Sequence, residues 1–241
     1  TIKVTLNLYS NAHLLTTDSE PLLGNIALKI ISELCTIPEV ADKFVRNGLY
    51  VVLLESPLST IIQKGDVRPE NNPRLHNIWS NGLLSIILLL LSTFGGKVLT
   101  ETCVILNYFD KQVQYSISSW TDSKLAISTA LVRETSQLIM LQKMLESLNY
   151  RRYLNDHGKR NTQIEEEPLG LIPGLDEDYE RSELYVSLGN LLTHPKYLNS
   201  RIVAVTVEET DQLDNDSLRA TFVNQINSDI KELQQSLITE L

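Results

Sequence analysis

The residues of this chain best equipped for chemistry are four histidines, two cysteines and a glycine pair before a lysine, and their spacing argues against a reaction. A helical metal site needs ligands one turn apart, yet His13, His76, His157 and His194 are scattered with no partner His, Cys or carboxylate forming a metal motif. Each is expected to be a packing or surface histidine. Gly95-Gly96-Lys97 lacks the upstream glycine and the following Ser or Thr of a phosphate-binding loop, and it follows a helix where such a loop follows a strand. There is no Gly-x-Ser-x-Gly elbow. Cys35 and Cys103 sit in separate apolar runs, which suits buried thiols in a reducing compartment better than a disulfide or a catalytic thiolate. Glu208-Glu209 is expected to be an ordinary surface pair. No catalytic residue, cofactor-binding residue or metal ligand is assigned, no cofactor is expected, and no residue of a protein-binding surface is singled out. An enzyme or a regulatory subunit with a hidden site is the least favoured class.

His76 and Trp79, three residues apart, share a helix face, and the expectation is that Trp79 fills a groove between helix pairs with its indole N–H on a carbonyl. Arg68 and Arg74 flank Asn71-Asn72-Pro73 and are expected to donate to carbonyls at neighbouring helix ends. Arg151-Arg152 and Lys159-Arg160 should balance nearby acids.

The elements that must hold these side chains read as helices. Thr36-Ile37-Pro38-Glu39 has the pattern of a capping box, Gly48 can close the helix that follows, and Ser56-Pro57 and Asn72-Pro73 pair a capping side chain with a proline at the first helical position. Gly95-Gly96 ends the apolar run Leu83 to Leu91. That run falls short of the roughly 20 residues a membrane span needs, so it is expected at the centre of the molecule. Val98 to Trp120 supplies one bent helix or two short ones with a break at Asp110. Thr121 is expected to cap the longest helix, with Trp120 and Leu125 as a hydrophobic staple. Downstream, Ile127, Leu131, Leu138, Leu141, Leu145 and Leu148 form one stripe, and Leu218, Phe222, Ile226, Ile230, Leu233, Leu237 and Leu241 form another. Arg201 to Val207 is β-branched but flanked by helical segments, and is assigned as helix. Asn47-Gly48-Leu49 and Asn81-Gly82-Leu83, at an offset of 34 residues, are the only hint of a helix-pair repeat.

With 42% hydrophobic and 21% charged residues the chain has ample material for a core. Its net charge of −9 disfavours nucleic acid and anionic membrane surfaces, so protein partners lead. The absence of an initial methionine and of a leader pattern gives the chain the look of a piece of something longer, whose first helix continues upstream. One segment over 1–241 is expected, interrupted at about 156–182 by a mobile loop around which Glu165, Glu166, Glu167, Asp176, Glu177, Asp178, Glu180 and Glu183 crowd, read as a solvated surface or, more sharply, as a docking strip for a basic partner. Leu169, Leu171, Ile172 and Leu175 would let part of it fold back or make a contact.

The block from Lys64 to Leu83, Lys-Gly-Asp-Val-Arg-Pro-Glu-Asn-Asn-Pro-Arg-Leu-His-Asn-Ile-Trp-Ser-Asn-Gly-Leu, followed by an apolar helix and the Phe94-Gly95-Gly96 stop, resembles the C-terminal region of a large inner-ring scaffold nucleoporin, the nucleoporin one-eighty-eight family, of fungal type. The resemblance extends through the helices to about Tyr153. It implies an all-α, right-handed superhelical α-solenoid of stacked HEAT- or armadillo-like pairs, at the nuclear pore complex of the nuclear envelope. The implied role is structural: binding other scaffold and linker nucleoporins through helical-repeat surfaces in support of nucleocytoplasmic transport. No nucleic acid and no direct membrane insertion are implied. Phe94-Gly95 is the one Phe-Gly pair, which separates the chain from channel-lining nucleoporins. The alternative is a karyopherin-like module that binds Phe-Gly repeat peptides between its helices.

Overall fold

The computed structural model describes residues 2–12, 21–158 and 171–238, without the side chains of 157 and 158. His13, Lys159, Arg160, Glu165, Glu166, Glu167, Leu169 and Leu241 lie outside the described residues.

The first four helices are α1 (Ile2–Ser10), α2 (Leu22–Cys35), α3 (Pro38–Arg46) and α4 (Leu49–Glu55), with α1 packed on α2 and α4. Short helices α5 (Pro57–Ile62) and α6 (Pro73–Asn77) follow, and a π-helical stretch over Ile78–Leu84 leads into α7 (Ser85–Phe94). Then come α8 (Leu99–Tyr108), α9 (Asp110–Ser118), α10 (Thr129–Ser147), α11 (Tyr150–Gly158), α12 (Asp178–Thr193), α13 (Pro195–Arg201), α14 (Val207–Asp214) and α15 (Asp216–Ser236). The stacking is sequential. α2 packs on α3 and α7, α10 lies against α7, α9 and α15, and α15 also meets α12 and α14. One hydrophobic cluster runs through the whole assembly, from Leu6 and Tyr9 to Ile230 and Leu233. The fold is all-α and solenoid-type.

Several helix ends follow the sequence signals. Asn72 accepts from the Leu75 N–H at 3.1 Å with Pro73 at the first helical position. Gly48 sits at φ 87° between α3 and α4, and Gly95 at φ 53° ends α7, both in the region where a Cβ is strained. The apolar helix reaches the centre: Ile86, Ile87, Leu90 and Leu91 are buried against α2, α8 and α10. The π stretch and a 3₁₀ turn over Gly95–Val98 join it to its neighbours, so the helical run Pro73–Tyr108 is 36 residues long. By length and composition alone that run could cross a membrane, although the apolar block taken by itself was too short. Half of its most apolar window is covered by the rest of the fold.

Other assignments need correction. Thr36 caps nothing ahead of it; its hydroxyl donates back to Glu33 O at 2.6 Å, and the residue before Pro38 is Ile37. Ser56 precedes α5, yet its hydroxyl donates to Tyr9 O at 3.3 Å, joining α5 to α1. Thr121 closes α9 by donating to Ser118 O, and the true cap of α10 is Ser128, which accepts from the Leu131 N–H at 3.2 Å. Trp120 forms no staple and reaches Thr135 Oγ1 through its indole N–H. Arg201 ends α13; from Ile202 the chain is extended, and Ile202 makes an isolated parallel bridge to Ile127, so β-branching prevailed over the helical flanks. The Asn-Gly-Leu echo is no repeat. Gly48 is a left-handed link between helices, whereas Gly82 lies inside the π stretch where a Cβ would come within 2.5 Å of Leu28 Cδ1. The described part of the acidic loop is built: Leu171, Ile172 and Leu175 are buried, and α12 already begins at Asp178.

Candidate functional site

The motif around Asn72-Pro73 folds as a joint. Gly65, at φ 80°, lies so close to Lys111 that a Cβ would approach that residue's Cβ at 2.5 Å and its carbonyl carbon at 2.7 Å. Two residues on, the amide side chain of buried Gln112 pairs with Val67 as a strand would: Oε1 accepts from Val67 N at 3.2 Å and Nε2 donates to Val67 O at 3.0 Å. The loop is thereby fastened to α9 before α6 begins.

One turn further, His76 and Trp79 point together at Glu134 of α10. His76 Nε2 lies 2.7 Å from Glu134 Oε2. The indole N–H of Trp79 and the hydroxyl of Ser116 both donate to Glu134 Oε1. The shared face was legible, but the acceptor is a carboxylate where a carbonyl was expected. Phe109 packs on Trp79 with ring centroids 5.1 Å apart.

A serine, a histidine and a carboxylate in contact invite comparison with a nucleophilic triad. The connectivity rules it out, because the carboxylate sits between Ser116 and His76 and the imidazole therefore cannot take the serine proton. Access rules it out as well: Ser116, His76 and Glu134 are each at most 3% exposed. The hollow beside Ser116 and Glu134 has a volume of about 10 Å³, room for about one water. The cluster satisfies buried donors with a buried acceptor.

Arg68 stacks over the Tyr115 ring at 5.1 Å and lies 4.0 Å from Glu70, in place of the expected carbonyl contact. Carbonyl capping of that kind belongs to Arg201, which sequence reading did not single out. Its Nε donates to Leu125 O and its Nη2 to Ser119 O and Asp122 O, each at 2.9 Å. Only its position just before a β-branched run marked it. Glu209 departs from an ordinary surface acid too, accepting from Val205 N at 2.8 Å and from the Thr129 hydroxyl, and so tying the end of the extended segment to α10.

Beyond the acidic loop, Tyr150 donates to Asp176 Oδ1 at 3.0 Å and Ile172 N donates to Oδ2 at 2.9 Å. Burial raises the Asp176 carboxyl above its ordinary range despite these donors. Arg151 pairs with Glu177 at 2.8 Å, the balancing role expected of it. Cys35 and Cys103 are free and buried, and desolvation pushes both thiols up to about 11. Exposed His194 holds its Nδ1 2.8 Å from Asn190 O. Among the described residues, no group of three His, Cys, Asp or Glu side chains is placed to hold a metal ion.

The accessible hollows lie elsewhere. One of about 490 Å³ lies between α10, the start of α12 and the end of α15, crossed by the Arg181–Glu146 and Arg181–Asp178 ion pairs. Two others flank α12. The first, of about 290 Å³, is lined by Ile117, Thr121, Tyr179 and Glu183 among others, and the second, of about 350 Å³, by Trp120, Thr121, Glu183 and Tyr197 among others. These arrangements can grip a side chain; Glu183, Ser187 and His194 line the second, but His194 Nδ1 lies against Asn190 O and the Thr193 hydroxyl.

The family model described as "Nuclear pore protein NUP188 C-terminal domain" matches residues 1–241. The chain belongs to this family. Nucleoporin NUP188 of Saccharomyces cerevisiae is 54% identical over 241 residues, covering 100% of this chain and 14% of that protein. Nucleoporin nup184 of Schizosaccharomyces pombe is 26% identical over 144 residues, covering 60% of the chain and 9% of its own length. A solved structure, Nup188(aa1445-1827) from Myceliophthora thermophila, superposes with a TM-score of 0.74 at 18% identity, over 98% of this chain and 66% of that one. The NUP188 relatives are nucleoporins, components of the nuclear pore complex, and the chain spans about one seventh of the yeast protein's length. In this chain the Lys64–Leu83 block closes the joint between α2, α9 and α10.

Proposed function

We propose that the chain is a scaffold segment of the nuclear pore complex, without enzymatic activity, that holds other scaffold and linker nucleoporins on its helical-repeat surfaces and so supports nucleocytoplasmic transport. The observation that carries this reading is the match of the NUP188 C-terminal family over residues 1–241 on a sequentially stacked all-α fold. Stacked helices leave grooves and ridges suited to a partner's amphipathic segment. The side chains that could have served a reaction, His76, Ser116 and Glu134, are spent on internal hydrogen bonds.

The test is retention of purified scaffold nucleoporins on the immobilised chain at moderate salt, which suppresses weak charge attraction. Retention of a defined nucleoporin is expected. Retention of none, together with saturable binding of a Phe-Gly peptide that is lost on Phe to Ser replacement, would overturn the scaffold reading in favour of a karyopherin-like module.

A further inference from the structure

Resting on the scaffold reading, we propose that the trough along α12 is a docking site for a basic amphipathic helical segment of a partner protein. The two hollows beside α12 share Thr121 and Glu183, so they form one trough running from Tyr179 to Tyr197. At about 1.5 Å per residue, α12 gives it a length on the order of 24 Å, several turns of a partner helix. Its lining is mixed, with Ile117, Trp120, Leu184 and Leu191, buried within the fold, beside Gln114, Ser187 and Asn190.

Two features select the occupant. Tyr179 is 69% exposed and Tyr197 42% exposed, one near each end of the trough. Such rings offer apolar area with a polar tip and little rotamer entropy to lose. The second feature is charge. Glu180 and Glu183 line the trough, and among the described residues no Lys or Arg pairs with Glu183. Arg201, the one Lys or Arg among the described residues that line the trough, directs its Nε and Nη2 at the carbonyls of Ser119, Asp122 and Leu125 and stacks on Tyr197 at 5.6 Å. The field in the trough is therefore negative within a chain of net charge −9, and a segment carrying Lys or Arg beside aliphatic residues complements it. Along α12, Val186 is exposed beyond Tyr179 and Glu183, at spacings of four and three.

Two assays test this on the 241-residue chain. In the first, an α-helical peptide as long as α12, bearing Arg four residues apart beside a Leu stripe, is titrated while backbone amide resonances are followed, with a twin in which Glu replaces each Arg. Saturable shifts at Tyr179, Glu183 and Tyr197 are expected for the Arg peptide alone. Glu183→Lys should weaken its binding by about tenfold or more, whereas Glu39→Lys on α3 should leave it unchanged, both variants melting like the parent. Absence of saturable shifts, equal affinity in Glu183→Lys, or occupation of the trough by a Phe-Gly peptide regardless of residue 183 would overturn the proposal. In the second, retention of nucleoporins is compared between the parent and Glu183→Lys. Retention that survives the charge reversal sinks the docking site and leaves the scaffold reading standing; failure of the parent to retain any nucleoporin sinks the scaffold reading, while the peptide titration still decides the trough.

Discussion

The stretch from Gly65 to Leu145 and the stretch from Asp178 to Ser236 both bury a regular apolar stripe, and apart from Arg201 they treat polar side chains in opposite ways. In the first, Gln112, Ser116, Glu134 and Thr135 are at most 1% exposed, each joined to another element by a hydrogen bond. In the second, α14 has no buried residue and α15 buries Phe222, Ile226, Ile230 and Leu233 on one side only. Buried polar contacts fix a unique joint because leaving them unmade is costly, whereas one-sided helices keep a face available. The first stretch closes a joint and the second offers surface.

The largest expected effect tests the closed joint. Glu134→Ala removes the shared acceptor of Trp79, Ser116 and His76, and should lower unfolding stability by about 3–5 kcal/mol in urea denaturation. A loss below about 1 kcal/mol would mean that water replaces the carboxylate and the joint is looser than its geometry.

Alkali should act next, taken group by group, and chiefly on the N-terminal and central helices. Burial pushes Tyr9 and Tyr50 up to about 12, and Cys35 and Cys103 up to about 11. Each group binds its proton more tightly folded than unfolded, so its contribution is intact below the unfolded value and is lost as pH rises through the folded one. Stability should therefore fall between about pH 9 and pH 12, at up to about 1.4 kcal/mol per unit of displacement for each group. Urea midpoints across that range measure it, and Tyr9→Phe should flatten the slope. A pH-independent midpoint would contradict the burial of these groups.

A smaller loss is expected at the seam between the two stretches. Arg201→Met removes the donors to Ser119 O, Asp122 O and Leu125 O and should cost about 1–3 kcal/mol, with faster amide exchange at Ile127 and Val203, whose N–H groups make the bridge. Arg201→Lys should not restore it, since an ammonium cannot reproduce the fork. Unchanged exchange would place the attachment in apolar packing alone. Smallest of all, Val207→Ala at 73% exposure on α14 should shift stability by less than about 0.5 kcal/mol in thermal melts; a larger shift would show that the C-terminal stretch is less one-sided than described.

Much of the helical punctuation was legible because it is local. Asn72-Pro73, Gly48, Gly95 and the break beside Asp110 each carry their reason within a few residues. Thr36, Ser56 and Thr121 misled for the same reason: a hydroxyl at a helix boundary has a backward carbonyl and a distant carbonyl within reach as well as a forward N–H, and only the surrounding packing chooses. Ile202 was misassigned because its partner, Ile127, is remote in sequence. The acids around the loop, Glu183 among them, were legible as a strip for a basic partner, but the trough was not, since Thr121, Glu183 and Tyr197 carry no joint signal until the fold brings them together.

The sequence by itself determined where several helices start or stop, which faces of α10 and α15 are apolar, and, through the Lys64–Leu83 block, the family. These depend on backbone sterics and on periodicities of a few residues. The tertiary structure alone decided that His76 and Trp79 meet Glu134, that Gln112 imitates a strand for Val67, and that Arg201 gathers three carbonyls. Such pairings span up to 82 residues, and their geometry exists only once loop closure has been offset by burial.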